Sequence, residues 1–283
     1  MKIKYIVSFS GGETSGYMAY LMKKNHSDES VFIFANTGQE DERTLIFVDR
    51  CDKEFKLNLV WLEADVSSER GVGTSYRVVD FDSASRNGNP FEKVIEKYGI
   101  PNQAYPHCTR ELKLAPMRKW QKENNLEFAK MCVGIRIDEI DRLSADRESA
   151  RLFYPLVQRW ASSKVDVKDF WAAQSFNLGL SEHEGNCIWC WKKTDRKLLT
   201  IMAERPEVFD FPQRMELEHG LAGHNVDGNK RVFFRRNRSV NDLKKLLKEN
   251  PNFERFKESK PFKQMELIDF DISNGCSESC EVY

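Results

Sequence analysis

No apolar run in this 283-residue chain approaches the roughly 20 residues that span a bilayer, so a membrane helix is not expected. An excess of either charge is also missing. Lys and Arg number 44 against 44 Asp and Glu, so no global field draws the chain to nucleic acid or to a membrane surface, and any polyanion site must be a local patch. There are no internal repeats and no low-complexity runs, which excludes solenoid and linker-type chains. Met1-Lys2-Ile3-Lys4 leads into an apolar run without the layout of a secretory signal, and the expected compartment is the cytoplasm, with no membrane partner. Seven cysteines, an odd number, fit a reducing compartment in which clustered thiols serve metal, iron–sulfur or redox chemistry more readily than a disulfide frame.

The run Tyr5-Ile6-Val7-Ser8-Phe9 reads as a strand, and Ser10-Gly11-Gly12-Glu13-Thr14-Ser15 follows it at once. A strand that ends in Ser and paired Gly and opens a helix with Thr and Ser makes a phosphate cradle. The glycines admit unusual dihedrals and close approach, the hydroxyls donate, and the N–H groups of the helix start face the anion. The loop has no Walker lysine and is not the spacing G-x-G-x-x-G. In isolation an ordinary strand-to-helix turn reads the same way.

Further apolar runs lie at Val31-Phe32-Ile33-Phe34-Ala35, at Leu57 to Leu62 and at Phe128 to Val133, with helical spacing between them. This alternation predicts an open α/β sheet, doubly wound and mostly parallel. Ligands of such sheets sit beyond the carboxyl ends of the strands, which is where Ser10, Asn36 and Arg136 fall. Residues 64–90 show no clean period and read as a lid or a short hairpin around Tyr76-Arg77-Val78-Val79. Pro116 predicts a helix start or kink, and Asp195 and Ser239 suit helix caps. The expected division is a nucleotide-binding domain over residues 1–160 and a helical C-terminal portion over 161–283.

Cys187-Ile188-Trp189-Cys190 is a C-x-x-C turn able to place two thiolates on one metal, and Cys108 supplies a third thiol from far upstream, beside His107. On the residues alone, a Cys3His zinc site completed by His107 or His183 competes with an iron–sulfur cluster. Cys51 and Cys132 lie in apolar segments and read as buried small hydrophobes. Lys230-Arg231-Val232-Phe233-Phe234-Arg235-Arg236-Asn237-Arg238 is the one basic, aromatic-interleaved stretch. It is a candidate surface for nucleic acid or an acidic partner, or a strand with its arginines on the wet face.

The loop pattern S-G-G-x-x-S resembles the pyrophosphate-binding loop of the ATP pyrophosphatase superfamily. Asn36-Thr37-Gly38 with Glu40 and Thr44 resembles the D-T-G-x-x-x-x-E-T segment of the phosphoadenosine phosphosulfate reductase family, and Gly134-Ile135-Arg136 with Asp138, Glu139 and Arg142 is like its G-x-R-x-x-x-S-x-x-R element. His107-Cys108, Lys113, Pro116 and the later C-x-x-C resemble the layout of reductases that hold a four-iron four-sulfur cluster, except that His107 stands where they have a first Cys.

The resemblance implies an adenine nucleotide α-hydrolase-like fold. It implies phosphate contacts from Ser8, Ser10, Gly11, Gly12, Thr14, Ser15, Asn36, Thr37, Gly38, Gly134, Arg136 and Arg142. Ser10, Ser15, Arg136 and the tail Cys280 would take catalytic roles, and Cys108, Cys187, Cys190 and His107 would hold a metal or cluster. The implied cofactors are ATP or a sulfonucleotide, Mg²⁺, and an iron–sulfur cluster in preference to Zn²⁺. The implied activity is sulfur transfer through adenylation of an acceptor, a nucleobase or DNA. The alternatives are a true sulfonucleotide reductase releasing sulfite and a nucleotide-sensing module without turnover. Partners implied are a sulfur-donor protein or thioredoxin-like reductant, and a nucleic-acid acceptor at Lys230–Arg238. The reductases' tail motif E-C-G-x-H is absent around Cys276 and Cys280, where Glu278 and Glu281 disfavour a thiolate.

Overall fold

A computed structural model of the chain describes residues 2–69, 71–185, 187–224 and 228–257. The expected catalytic Cys280 and its neighbour Cys276 lie outside them. Two compact units interleave along the sequence. Of the described residues, one takes the chain up to Pro90 and Thr109–Gly179; the other takes Phe91–Cys108 and those from Leu180 to Lys257. Among the described residues no helix is long and apolar enough to cross a membrane.

The first unit is a six-stranded sheet. Its strands are β1 (Tyr5–Ser8), β2 (Ser30–Asn36), β3 (Val60–Asp65), β4 (Ser75–Val79), β5 (Lys130–Cys132) and β6 (Leu152–Phe153), in the order β4-β3-β2-β1-β5-β6. All neighbours pair parallel except β4, which closes the β3 edge antiparallel. The apolar runs are continuous rather than alternating because both faces are covered. Val7, Phe32 and Phe34 face one core with α1 (Glu13–His26) and α2 (Glu42–Phe55), while Ile6, Ile33 and Ala35 face a second core that holds Leu114 and Met117. The order of connection reverses at β1, whose neighbours β2 and β5 lead away in opposite directions. That reversal opens a crevice beyond the carboxyl ends of β1 and β5.

After β4 the chain enters α3 (Asn89–Tyr98) and returns to the first unit at Thr109. No break occurs at Pro116. Helix continues from Cys108 through a π turn (Arg110–Leu114), in which Ala115 N donates to Arg110 O, into α4 (Ala115–Glu123). The wider turn absorbs a proline that has no N–H to give and would crowd a normal helical carbonyl.

The first unit also contains α5 (Pro155–Gln158) and α6 (Lys164–Ala172). Residues 161–179, expected in the C-terminal portion, therefore fall in the first unit. The reason is packing: α6, opened by a reciprocal Ser163–Asp166 capping box, buries Val167 and Trp171 in the same core as Met18 and Phe47.

The second unit carries α7 (Asp195–Glu204), α8 (Asp210–His219) and α9 (Val240–Glu249). Its centre is aromatic, with the Trp189 ring 5.4 Å from Phe91, 5.8 Å from Phe211 and 4.9 Å from Phe233. Ser239 caps α9 as its sequence suggests. Thr194, not Asp195, caps α7, because Asp195 is taken up by Arg235 and Arg238.

Candidate functional site

The phosphate-type loop stands at the β1 end of the crevice. Ser10 and Ser15 close it from either side: their hydroxyls are 2.9 Å apart, Ser10 N donates to Ser15 Oγ at 3.1 Å, and Ser15 Oγ donates to Gly12 O at 3.0 Å. Helix α1 begins at Gly12 with no side-chain cap. The first N–H groups of a helix have no partner within it, and at this start they carry the positive end of the dipole. Gly11 holds φ +87°, and a Cβ there would lie 2.6 Å from Thr44 Cγ2, so α2 presses directly on the loop. On the other side, Trp171 Nε1 donates to Glu13 O at 2.8 Å, and its ring edge sits where a Cβ on Gly16 would meet it at 2.8 Å.

Arg136 reaches the same crevice from the end of β5. Its side chain is 9% exposed. Nη1 donates to Thr14 Oγ1 at 2.8 Å, while Nε and Nη2 both contact the Asp138 carboxylate at 3.1 Å. Glu139 lies between two cations, 3.4 Å from Arg136 Nη2 and bonded to Arg142. Asp138 also accepts from Lys164 N at 3.1 Å. A buried guanidinium, a helix start and two hydroxyls thus lie along one crevice, with Asp138 and Glu139 on the guanidinium.

Other residues expected at the nucleotide are placed differently. Ser8 follows the strand alternation away from the loop, its Oγ 4.0 Å from Met117 Sδ. Asn36 is fully buried and occupied within the protein: Nδ2 donates to Glu63 Oε1 at 2.6 Å and to Ser85 O at 2.8 Å, and Oδ1 accepts from Gly38 N at 3.1 Å. Thr37 gives both N–H and hydroxyl to Glu40 at 2.9 Å. Gly134 is buried between β5 and Arg136.

The hub of this corner, missed in the sequence, is Glu63, which is 0% exposed. Strand pairing sets Asn36, Glu63 and Arg77 in one row across β2, β3 and β4. Glu63 accepts from Asn36, from Arg77 Nε at 2.9 Å and from Ser85 N and Oγ at 2.5 and 3.0 Å. The signal was available as an acid, Glu63, set between Leu62 and Ala64 inside an apolar strand, followed by an arginine on the next strand.

The family profile of the phosphoadenosine phosphosulfate reductase domain matches residues 4–81, a span that holds the loop, Asn36–Gly38 and Glu63. Over nearly the whole chain there is a second match. The uncharacterized nin region protein ORF290 of Escherichia phage lambda is 31% identical over 288 residues, covering 98% of this chain and 94% of the relative. The chain belongs to the phosphoadenosine phosphosulfate reductase family. Two uncharacterized proteins of Methanocaldococcus jannaschii share a part of it. MJ0973 is 32% identical over 116 residues, 41% of this chain and 22% of its own length, and MJ0066 is 29% identical over 136 residues, 48% and 23%.

The cysteines that resemble the reductase family's cluster ligands all belong to the second unit. Cys108, Cys187 and Cys190 are buried thiols, and Cys190 N donates to Cys187 O at 2.9 Å, which makes C-x-x-C a tight turn. His107 Nε2 lies 3.0 Å from Gly99 O. His183 is paired with Glu204 at 3.1 Å. Next to Cys190, the buried indole N–H of Trp191 has no hydrogen-bond partner, the condition of a donor whose acceptor is a bound group. Buried thiols are the donors that an iron–sulfur cluster takes. Cys51 and Cys132 are of another kind: burial pushes both thiols far up, and each sits in the core of the first unit.

The basic stretch is neither a strand nor an open row of cations. Phe233 and Phe234 are fully buried, and Arg235 and Arg236 hold φ of 50° and 71° in a turn closed by the Phe234–Arg238 bridge. Arg231 stacks on Tyr105 at 4.0 Å. Arg235 and Arg238 clamp Asp195 at 3.0 and 2.6 Å. Burial pushes the Asp195 carboxyl up, but the two arginines outweigh it and hold the group below the ordinary aspartate value.

Proposed function

We propose that the chain is an ATP pyrophosphatase-type sulfur transferase that adenylates an acceptor, a nucleobase or a DNA phosphate, before sulfur insertion. The observation that supports this reading is the bond from Arg136 Nη1 to Thr14 Oγ1, which holds a buried cationic fork against an uncapped helix start at the sheet's crevice. ATP would lie with its terminal phosphates on Ser10–Ser15 and its α-phosphorus toward the acceptor. The acceptor oxygen attacks that phosphorus, the bond to the bridging oxygen breaks, and pyrophosphate leaves with the new negative charge. Ser10, Ser15, Arg136 and the first N–H groups of α1 stabilise that charge as it develops. Oxygen donors suit Mg²⁺, and a carboxylate that would hold it is Glu13, in the first turn of α1.

In the second step a sulfur nucleophile, supplied by a donor as sulfide or persulfide, attacks the activated centre and AMP departs. Cys108, Cys187 and Cys190 would hold a cluster, and an iron that these three thiolates leave without a protein ligand would supply a binding position for sulfur. The test is anaerobic purification with iron and acid-labile sulfide assays, followed by pyrophosphate, AMP and sulfite assays with ATP and with a sulfonucleotide. Pyrophosphate and AMP formed from ATP in the presence of acceptor and sulfide support the reading. Sulfite release from the sulfonucleotide without pyrophosphate replaces it with the reductase, and nucleotide binding without either product replaces it with a sensor.

A further inference from the structure

At the opposite edge of the sheet from the phosphate loop, where β5 and β6 begin, a cleft of about 370 Å³ opens against α4. Its charged walls are Arg118, Lys122 and Arg151, with Glu127 as the single acid. Arg118 and Lys122 are one turn apart on α4, both exposed, and make no ion pair among the described residues. Arg151 is held in place: φ is +53°, Nη1 donates to Glu127 O at 2.7 Å, and the guanidinium lies 5.0 Å from the centre of the Phe128 ring. Phe128 itself is 72% exposed, more than any other large hydrophobic side chain among the described residues. One ring face is stacked on a cation and the rest is open to solvent.

We infer that this cleft docks single-stranded nucleic acid. Three cations on one small concavity of a neutral chain attract phosphates, and two of them have no carboxylate to displace. An exposed ring backed by a guanidinium is a stacking platform for an unpaired base, which a duplex cannot offer. In the sequence's most basic stretch Arg231, Arg235 and Arg238 are turned to internal contacts, whereas the cleft brings unpaired positive charge and an open aromatic ring together. A polymer gripped here extends past the sheet, whereas a free nucleotide filling the cleft does not. The docking claim rests on the cleft alone and stands or falls without the adenylation chemistry, because it is read from binding in the absence of ATP.

The experiment is fluorescence anisotropy of a labelled mixed-sequence single strand about 20 nucleotides long, titrated with the full chain over a range of salt. Arg118→Glu with Lys122→Glu weakens binding at least about tenfold and lowers the salt slope by about two. Phe128→Ala weakens it about fivefold or more while the salt slope holds. Unfolding midpoints confirm that each variant is folded; should the double charge reversal fail to fold, Arg118→Gln with Lys122→Gln gives the same comparison. Unchanged affinity in folded variants overturns the inference. So does equal affinity for duplex, which reduces the cleft to a charge patch, or displacement of the strand by tripolyphosphate at equal phosphate concentration, which makes it a site for small anions.

Discussion

Gly11→Ala tests whether α2 sets the shape of the phosphate loop. The added methyl meets two separate obstacles. Its backbone would hold φ near +87°, a region that costs a non-glycine residue about 1–3 kcal/mol. Its Cβ would also stand 2.6 Å from Thr44 Cγ2 and 3.3 Å from Phe34 Cε2, and forcing a methyl into such a core costs about 1–3 kcal/mol more. The expected loss is therefore about 2–6 kcal/mol by urea unfolding, together with weaker ATP binding as the loop N–H groups move. The two parts separate in a double-mutant cycle. Thr44→Ser removes only the offending methyl and alone costs about 0.8 kcal/mol of burial, but in the Gly11→Ala background it returns the crowding part and leaves the backbone part. A Gly11→Ala protein of unchanged stability, or a double variant whose costs simply add, would refute the reasoning.

Arg136→Lys keeps the charge but loses the fork across Thr14 and Asp138; by calorimetry ATP affinity falls about 10- to 100-fold, and pyrophosphate release falls with it. Glu63→Leu leaves the buried amide of Asn36 and the Ser85 N–H without their acceptor and frees Arg77 to solvent, and it destabilises by about 1–3 kcal/mol in denaturant unfolding, whereas Glu63→Gln, which keeps one acceptor oxygen, recovers part of that loss. Glu216 gives a pH prediction in the second unit. Burial pushes its carboxyl up to about 7 although Phe233 N and Val240 N both donate to it. A raised acid is favoured protonated in the folded state, so its contribution is complete below about 4.5 and is lost as pH rises toward 7, about 3 kcal/mol in all. Glu216→Gln should flatten that fall in a pH series of melts, at the expense of one backbone hydrogen bond.

Much of the first unit was legible because parallel strands covered on both faces have to be written as unbroken apolar runs, as in Val31–Ala35. Ser10–Ser15 and Arg136 were legible because strand ends face a common edge. What stayed hidden was long-range pairing. Asn36 looked like a ligand residue until Glu63 and Ser85 were seen to take its amide, and those partners are 27 and 49 positions away. The arginines of residues 230–238 looked available until Asp195, some forty positions earlier, was found between two of them. The extent of the first unit was missed for the same reason: α6 belongs where Trp171 packs, and no local pattern marks the residue it packs against.

The excursion of residues 91–108 out of the first unit also governs how the chain is made. The strand-forming half is available early, but Asn102 Nδ2 waits for Val232 O, a partner synthesised 130 residues later. At ribosomal speeds of about 5–20 residues per second that delay is on the order of ten seconds. Cys108 is made before Cys187 and Cys190, so for part of that interval it lacks the two thiols of the C-x-x-C turn. Loading of any group on the three cysteines thereby has to wait until Cys190 has been made.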